Sequence, residues 1–187
     1  MKTVYIIGGA NGSGKTTLAE TVLRDYLKVG EFVNADQIAG GMSAFRPESV
    51  SINAGRAMLN RIHELASSGK DFAFETTLAS RSFAPFLRDL KSSGYTVILI
   101  YVWLRTPRLA LRRVRLRAEK GGHAVPDEIV NRRYRRGLVN LRTLYLPLAD
   151  GWFVFDNSTP RPSLIAERQA GGDVVVHSQT TWKKING

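Results

Sequence analysis

The sequence contains no cysteine, which excludes a disulfide framework, a thiolate metal site and a thiol nucleophile and suits a reducing compartment. It also lacks any long apolar run. The longest, residues 97–104, falls far short of the roughly 20 residues that cross a bilayer. No secretory leader is expected, because strand-like sequence begins at Thr3 and leads straight into a glycine loop. Internal repeats and low-complexity linkers are missing too. With 187 residues, 43% hydrophobic and 23% charged, the composition is that of one globular domain with room for a real core. A soluble, cytoplasmic protein is the expectation.

Acidic residues are the other shortage: 16 against 27 Lys and Arg, for a formal charge of +11. The imbalance is local. Residues 105–142 hold twelve cations and three acids, which is +9 of the total. Such a cluster attracts polyanions, either nucleic acid or several phosphates on a small ligand. Aromatics that could stack on bases are few there, with Tyr134 and Tyr145 the only ones in residues 105–148. Nucleic acid is therefore not the favoured partner.

What the chain does have is GGANGSGKTT over residues 8–17, which fits G-x-x-x-x-G-K-[ST] with Gly9, Gly14, Lys15 and Thr16 in register. Val4, Tyr5, Ile6 and Ile7 form a strand before it, and Leu18, Val22 and Leu23 recur at helical spacing behind it. Strand, loop and helix make a phosphate cradle: glycines let consecutive N–H groups turn inward, and the helix adds roughly half a positive charge at its N-terminus. The expected nucleotide contacts are Gly9, Ala10, Asn11, Gly12, Ser13, Gly14, Lys15, Thr16 and Thr17. Lys15 would bring a full charge to the β- and γ-phosphates of ATP, and the Thr16 hydroxyl is placed to ligate Mg²⁺.

Further along, residues 31–34 read as a second strand and 48–68 as a helix with Ile52, Leu59, Ile62, Leu65 and Ala66 at helical spacing. A third strand is expected over 72–74, a helix over 82–92, and a fourth strand over 96–104 that is apolar on both faces. Pro107 starts a helix to about Lys120, and Pro126 opens another to about Tyr145. A fifth strand covers 152–155. A last helix near 163–169, a strand over 174–176 and a loose tail from Ser178 complete the expectation. Alternating strands and helices imply right-handed crossovers, hence an α/β P-loop NTPase fold: a three-layer sandwich with a mainly parallel sheet. Residues 105–148 read as a helical, arginine-rich lid inserted in a single domain spanning 1–187.

Ligands of such sheets bind beyond the carboxyl ends of the strands. The residues to inspect are therefore the glycine loop, Asp36, Glu75, Arg105 and the run Asp156, Asn157, Ser158. Phosphoryl transfer asks mainly for position and charge. Asp36 is the first choice for the carboxylate that orients an acceptor hydroxyl, the alternative being an N-cap for a helix starting at Gln37, and the two are compatible. Glu75 fits a contact to a metal water or substrate hydroxyl. It also fits a polar helix entry, with Thr76 and Thr77 either binding substrate or capping locally. Arg113, Arg117, Arg132 and Arg133 are the phosphate candidates among the arginines, with two of them catalytic. His123 suits a loop hydrogen bond better than catalysis. Asn157 and its neighbours suit an adenine contact or a turn.

Five stretches in order, GGANGSGKTTLAE, FVNADQIA, FETTLASRS, RVRLRAEKGGHAVPDEIVNRRYRRGLVNL and FDNS, resemble the zeta toxin family of P-loop kinases. The likeness is strongest to the branch called zeta-toxin-like proteins or predicted ABC-type ATPases, although the chain has no LSGGQ-type signature. The resemblance implies transfer of the ATP γ-phosphate to a hydroxyl of a nucleotide sugar such as UDP-N-acetylglucosamine. It brings in ATP and Mg²⁺ as cofactors and an antitoxin protein as partner. It makes Lys15 the phosphate lysine, Thr16 the metal ligand, Asp36 the acceptor base, Glu75 a substrate or metal contact, and Arg117 and Arg132 the lid cations. The acceptor stretch FETTLASRSF departs from that of the well-understood toxins. The alternatives are a polynucleotide or nucleoside kinase, and a nucleic-acid-binding nucleotide switch with little turnover.

Overall fold

The period-two pattern of the strands sends alternate side chains into two separate cores, one on each face of a single seven-stranded sheet. A computed structural model describes residues 2–43, 47–122 and 124–187. Central strand β1 (Lys2–Gly9) pairs in parallel with β3 (Phe72–Thr76) and β4 (Tyr95–Trp103). Outside these lie β2 (Phe32–Val33) and β5 (Gly151–Asp156), also parallel. Strands β6 (Ser163–Arg168) and β7 (Val174–Val176) extend the β5 edge antiparallel, for the order β2-β3-β1-β4-β5-β6-β7.

Val4, Ile6, Phe72, Phe74, Val97 and Leu99 face α3 (Ser51–Ser67) and α4 (Phe83–Ser92), whereas Ile7, Ala73 and Ile100 face α1 (Lys15–Ala19) and its π-helical continuation Glu20–Tyr26. Each large side chain fully buried in this way contributes about 1.5–3 kcal/mol. Helix α2 (Ala35–Met42) follows β2. Between β4 and β5 come α5 (Pro107–Glu119) and α6 (Asp127–Asn140), with π-helical turns Leu141–Tyr145 and the short α7 (Leu146–Leu148) behind α6. The pair has its own small core of Leu104, Ala110, Val114, Val125 and Val130. Thr106 caps α5 through Leu109 N–H, and Pro107 opens its first turn without losing a needed donor.

Three sequence expectations are corrected. The helix expected near 163–169 is the strand β6, because the β5 edge presents a row of unpaired backbone groups that Leu164 to Arg168 satisfy in an antiparallel ladder; pairing overrides a helix-forming composition. The tail from Ser178 is ordered as α8 (Gln179–Asn186). Trp182 stacks on Trp152 with centroids 5.4 Å apart, and Ile185 is fully buried. In α3 the buried stripe is Ala54, Met58, Ile62 and Leu65, while Ile52 and Leu59 face solvent. No helix among the described residues is long and apolar enough to cross a membrane.

Candidate active site

The carboxyl ends of β1, β2 and β3 bring four polar side chains into one cluster. At the end of β1 the loop turns back on itself, with Ser13 N–H donating to Ala10 carbonyl at 3.1 Å. Gly12 and Gly14 have φ of 76° and 89°, a region that side chains resist. A Cβ on Gly14 would also lie 2.4 Å from Asn157 Nδ2. That amide donates to the Ser13 carbonyl at 2.7 Å, so Asn157 braces the loop. Its neighbours are engaged locally: Asp156 Oδ1 accepts from Ser158 N–H, and Ser158 Oγ accepts from Arg105 N–H.

Lys15 is buried, with Nζ donating to Ala10 carbonyl at 3.0 Å and lying 3.4 Å from Glu75 Oε1. Thr16 Oγ1 donates to Glu75 Oε2 at 2.7 Å, and Asn34 Nδ2 donates to the same oxygen at 2.8 Å. Oε1 of Glu75 is thereby held from the β1 side alone, and Oε2 from the ends of both β1 and β2. Asn34, not Asp36, caps α2: its Oδ1 accepts from the N–H groups of Asp36 and Gln37. Asp36 is left exposed on the first turn, 3.8 Å from Arg117 Nη1. Asn34 was missed from sequence, although an Asn directly before a helical run is a cap signal.

The cluster opens on two adjoining hollows that share Lys15, Asp36 and Glu75. Gly12, Thr16, Thr17, Arg113 and Arg117 line the loop-side hollow. The other is walled by Met58, Phe83, Thr76, Thr77 and Arg133. Thr76 and Thr77 also accept N–H bonds from Leu78 and Ala79, so they cap locally while facing the hollow. Arg133 Nη1 donates to Asn11 Oδ1 at 3.3 Å. Burial pulls the Arg133 guanidinium below its ordinary range, opposed by Asp36 and reinforced by Arg132, yet an arginine stays charged at neutral pH. Arg132 itself lies elsewhere, in a shallow hollow with Glu128, Asn131, Arg135 and Arg136. His123 falls outside the described residues.

Helix α6 ties the glycine loop to the loop after β3. Gly137 packs so tightly on the Thr77 carbonyl that a Cβ would lie 2.5 Å from it. One turn on, Asn140 Nδ2 donates to Leu78 carbonyl at 2.8 Å, and Tyr145 OH donates to Ser80 carbonyl at 2.6 Å.

The donor set suits a nucleotide with a hard cation. Thr16, by donating its proton to Glu75, keeps an oxygen lone pair for a cation beside the long contact from Asn34, and Glu75 adds carboxylate oxygens. Among the described residues no group of three or more His, Asp or Glu could cage a metal alone. Mg²⁺ is ordinarily bound through one or two protein oxygens together with substrate phosphates, and these residues fit that pattern.

A family profile described as an AAA domain matches residues 4–137, from the first strand through Gly137 of α6. The chain belongs to the AAA domain family. This AAA domain is 30% identical over 126 residues to an uncharacterized protein of Haemophilus influenzae, an alignment covering 67% of the chain and 88% of the relative. In fold it resembles a chain of the AvrRxo1-ORF1:-ORF2 complex with ATP, at TM-score 0.78 and 17% identity. That match covers all of this AAA domain but 64% of the other chain, so the protein spans less than two thirds of its length. The PezAT chromosomal toxin-antitoxin system of Streptococcus pneumoniae gives TM-score 0.67 at 19% identity, covering 95% of this chain and 75% of that one. Shikimate kinase of Acinetobacter baumannii, in complex with shikimate, gives 0.51 at 19%, covering 86% and 85%. At such identities the likeness establishes the fold, and that fold is the α/β one of P-loop kinases.

Proposed function

We propose that the protein is an ATP-dependent kinase transferring the γ-phosphate to a hydroxyl of a small molecule, with a nucleotide sugar such as UDP-N-acetylglucosamine as the first acceptor to test. One observation carries this reading. Lys15, Glu75 and Asp36 are shared by two adjoining hollows, one against the glycine loop and one against β3 and α3. A donor and an acceptor could therefore meet at the same charged centre. The loop amides, Lys15 and Thr17 hold the phosphates. Thr16 and Glu75 are the groups that would hold Mg²⁺, which supplies positive charge against the phosphate oxygens. Asp36 takes the proton of the attacking hydroxyl as its oxygen bonds to the γ-phosphorus and the bond to the β-phosphate oxygen breaks. Arg113, Arg117 and Arg133 face charge on the moving phosphoryl group, α5 and α6 acting as a lid. Thr76 and Thr77 contact the acceptor. Residues 105–148 are that lid within one domain, and a cytoplasmic setting supplies the ATP. An antitoxin partner is part of the same proposal, supported by the toxin-antitoxin description of the PezAT neighbour.

Incubation with Mg-ATP and a panel of sugar nucleotides, nucleosides and polynucleotides, followed by mass spectrometry, tests the reading. A phosphorylated sugar nucleotide is the expected product. Phosphorylated nucleic acid would transfer the assignment to a polynucleotide kinase, and ATP hydrolysis without any acceptor product would sink kinase chemistry. Within the same assay the two neighbouring arginines should part company. Arg133→Ala is expected to lower kcat by roughly 10²–10³-fold, the size of losing one preorganised donor, while Arg132→Ala stays near the parent rate.

A further inference from the structure

Asn34 is a polar side chain with 5% of its surface exposed, and both ends of its amide are used. Nδ2 donates to Glu75 Oε2 at 2.8 Å and lies 3.5 Å from Thr16 Oγ1. Oδ1 accepts from Asp36 N–H at 2.8 Å and from Gln37 N–H at 3.4 Å. The orientation follows from chemistry: two backbone donors require the carbonyl end, and a carboxylate requires the NH₂ end. Aspartate could reproduce the first half only, and serine is too short for the second. Asn34 is thus the one described side chain bonded both to the Thr16–Glu75 pair and to the backbone at Asp36.

We infer that Asn34 is a positioning residue, holding Glu75 in the rotamer that presents its oxygens with Thr16 to the Mg²⁺ of a bound nucleotide. Through its other end it registers that pair against the start of α2. Thr16 alone cannot do this, because one hydroxyl bond leaves the carboxylate free to pivot about it. Lys15 holds the opposite oxygen, and Asn34 removes the remaining freedom. The link to Asp36 rests on the kinase reading above; the link to Glu75 needs only the nucleotide site.

The test separates capping from positioning. Asn34→Ser keeps a cap acceptor for α2 and loses the reach to Glu75, whereas Asn34→Ala loses both. ATP affinity of the full chain is measured by titration calorimetry with and without Mg²⁺, beside thermal melts. For the parent protein, Mg²⁺ is expected to tighten ATP. In both variants that gain should fall by about tenfold or more, as for other partners of metal-ligating groups, with metal-free ATP affinity unchanged. Asn34→Ala should melt roughly 2–4 °C below Asn34→Ser, the mark of the lost cap. A Ser variant that keeps the full Mg²⁺ gain, or a parent that shows none, overturns the inference. A parent that binds Mg-ATP tightly yet phosphorylates no acceptor sinks the kinase reading and leaves this result standing.

Discussion

Lys15→Ala is expected to remove Mg-ATP-dependent phosphoryl transfer, with kcat/KM down by about 10³-fold or more. The ammonium is fixed before any ligand arrives, between the Ala10 carbonyl at 3.0 Å and Glu75 at 3.4 Å, so its charge reaches the phosphates without a reorganisation cost. The substitution does a second thing. Both Lys15 and Glu75 are about nine-tenths buried, and deleting one partner of such a pair costs about 3–5 kcal/mol, because the remaining charge is left without its counter-ion. The variant should melt several degrees below the parent, and ATP should no longer raise its melting temperature. Differential scanning calorimetry with and without Mg-ATP reads both effects. A variant stabilised by ATP as much as the parent would show that the lysine is not a phosphate ligand.

The second large effect is of the opposite kind. Asp36→Asn should lower transfer to the acceptor by about 10²–10⁴-fold, the usual share of a general base, while ATP affinity and stability stay near those of the parent. The structure explains the expected separation: Asp36 is exposed, does not cap α2 and makes no hydrogen bond to the glycine loop through its side chain. Its replacement by an isosteric amide removes basicity together with an exposed ion pair to Arg117, a contact that contributes little in solvent. Product formation measured beside calorimetric ATP binding checks this, and an Asn variant with parental turnover would exclude Asp36 as the base.

Much of this arrangement could be read in the residues alone, and the rest could not for definite reasons. The buried run of β4 and the glycine loop behind β1 are strong local signals, and the rule that ligands sit beyond strand ends picked out Glu75 and Asp36 together. Strand β6 carries no such signal. Leu164, Ile165, Ala166 and Glu167 suit a helix, and only the waiting edge of β5 makes them a strand. Helix α8 is held by Trp182 on Trp152 and by Ile185, contacts between residues far apart in sequence. The arginines turn on helical phase. A step of one residue rotates a side chain by about 100°, so Arg132 and Arg133 cannot share a direction. Val130 and Gly137 lie on the inward side of α6, which aligns 133 with the cleft and turns 132 away.

Helix α6 finally has a mechanical meaning. Arg133 touches the glycine loop through Asn11, and Gly137, about 6 Å further along the axis at 1.5 Å per residue, presses on the Thr77 carbonyl. One turn of hydrogen-bonded helix is too stiff to flex over that span. It behaves as a strut, with the bonds from Asn140 and Tyr145 as its footing. A displacement of the loop after β3 is therefore passed along the α6 backbone to Arg133, whose hydrogen bond hands it to Asn11, so the loop after β3 and the glycine loop are coupled. Selectivity in such a frame is a matter of gauge: a molecule too wide for the gap cannot push one loop aside without carrying the other with it.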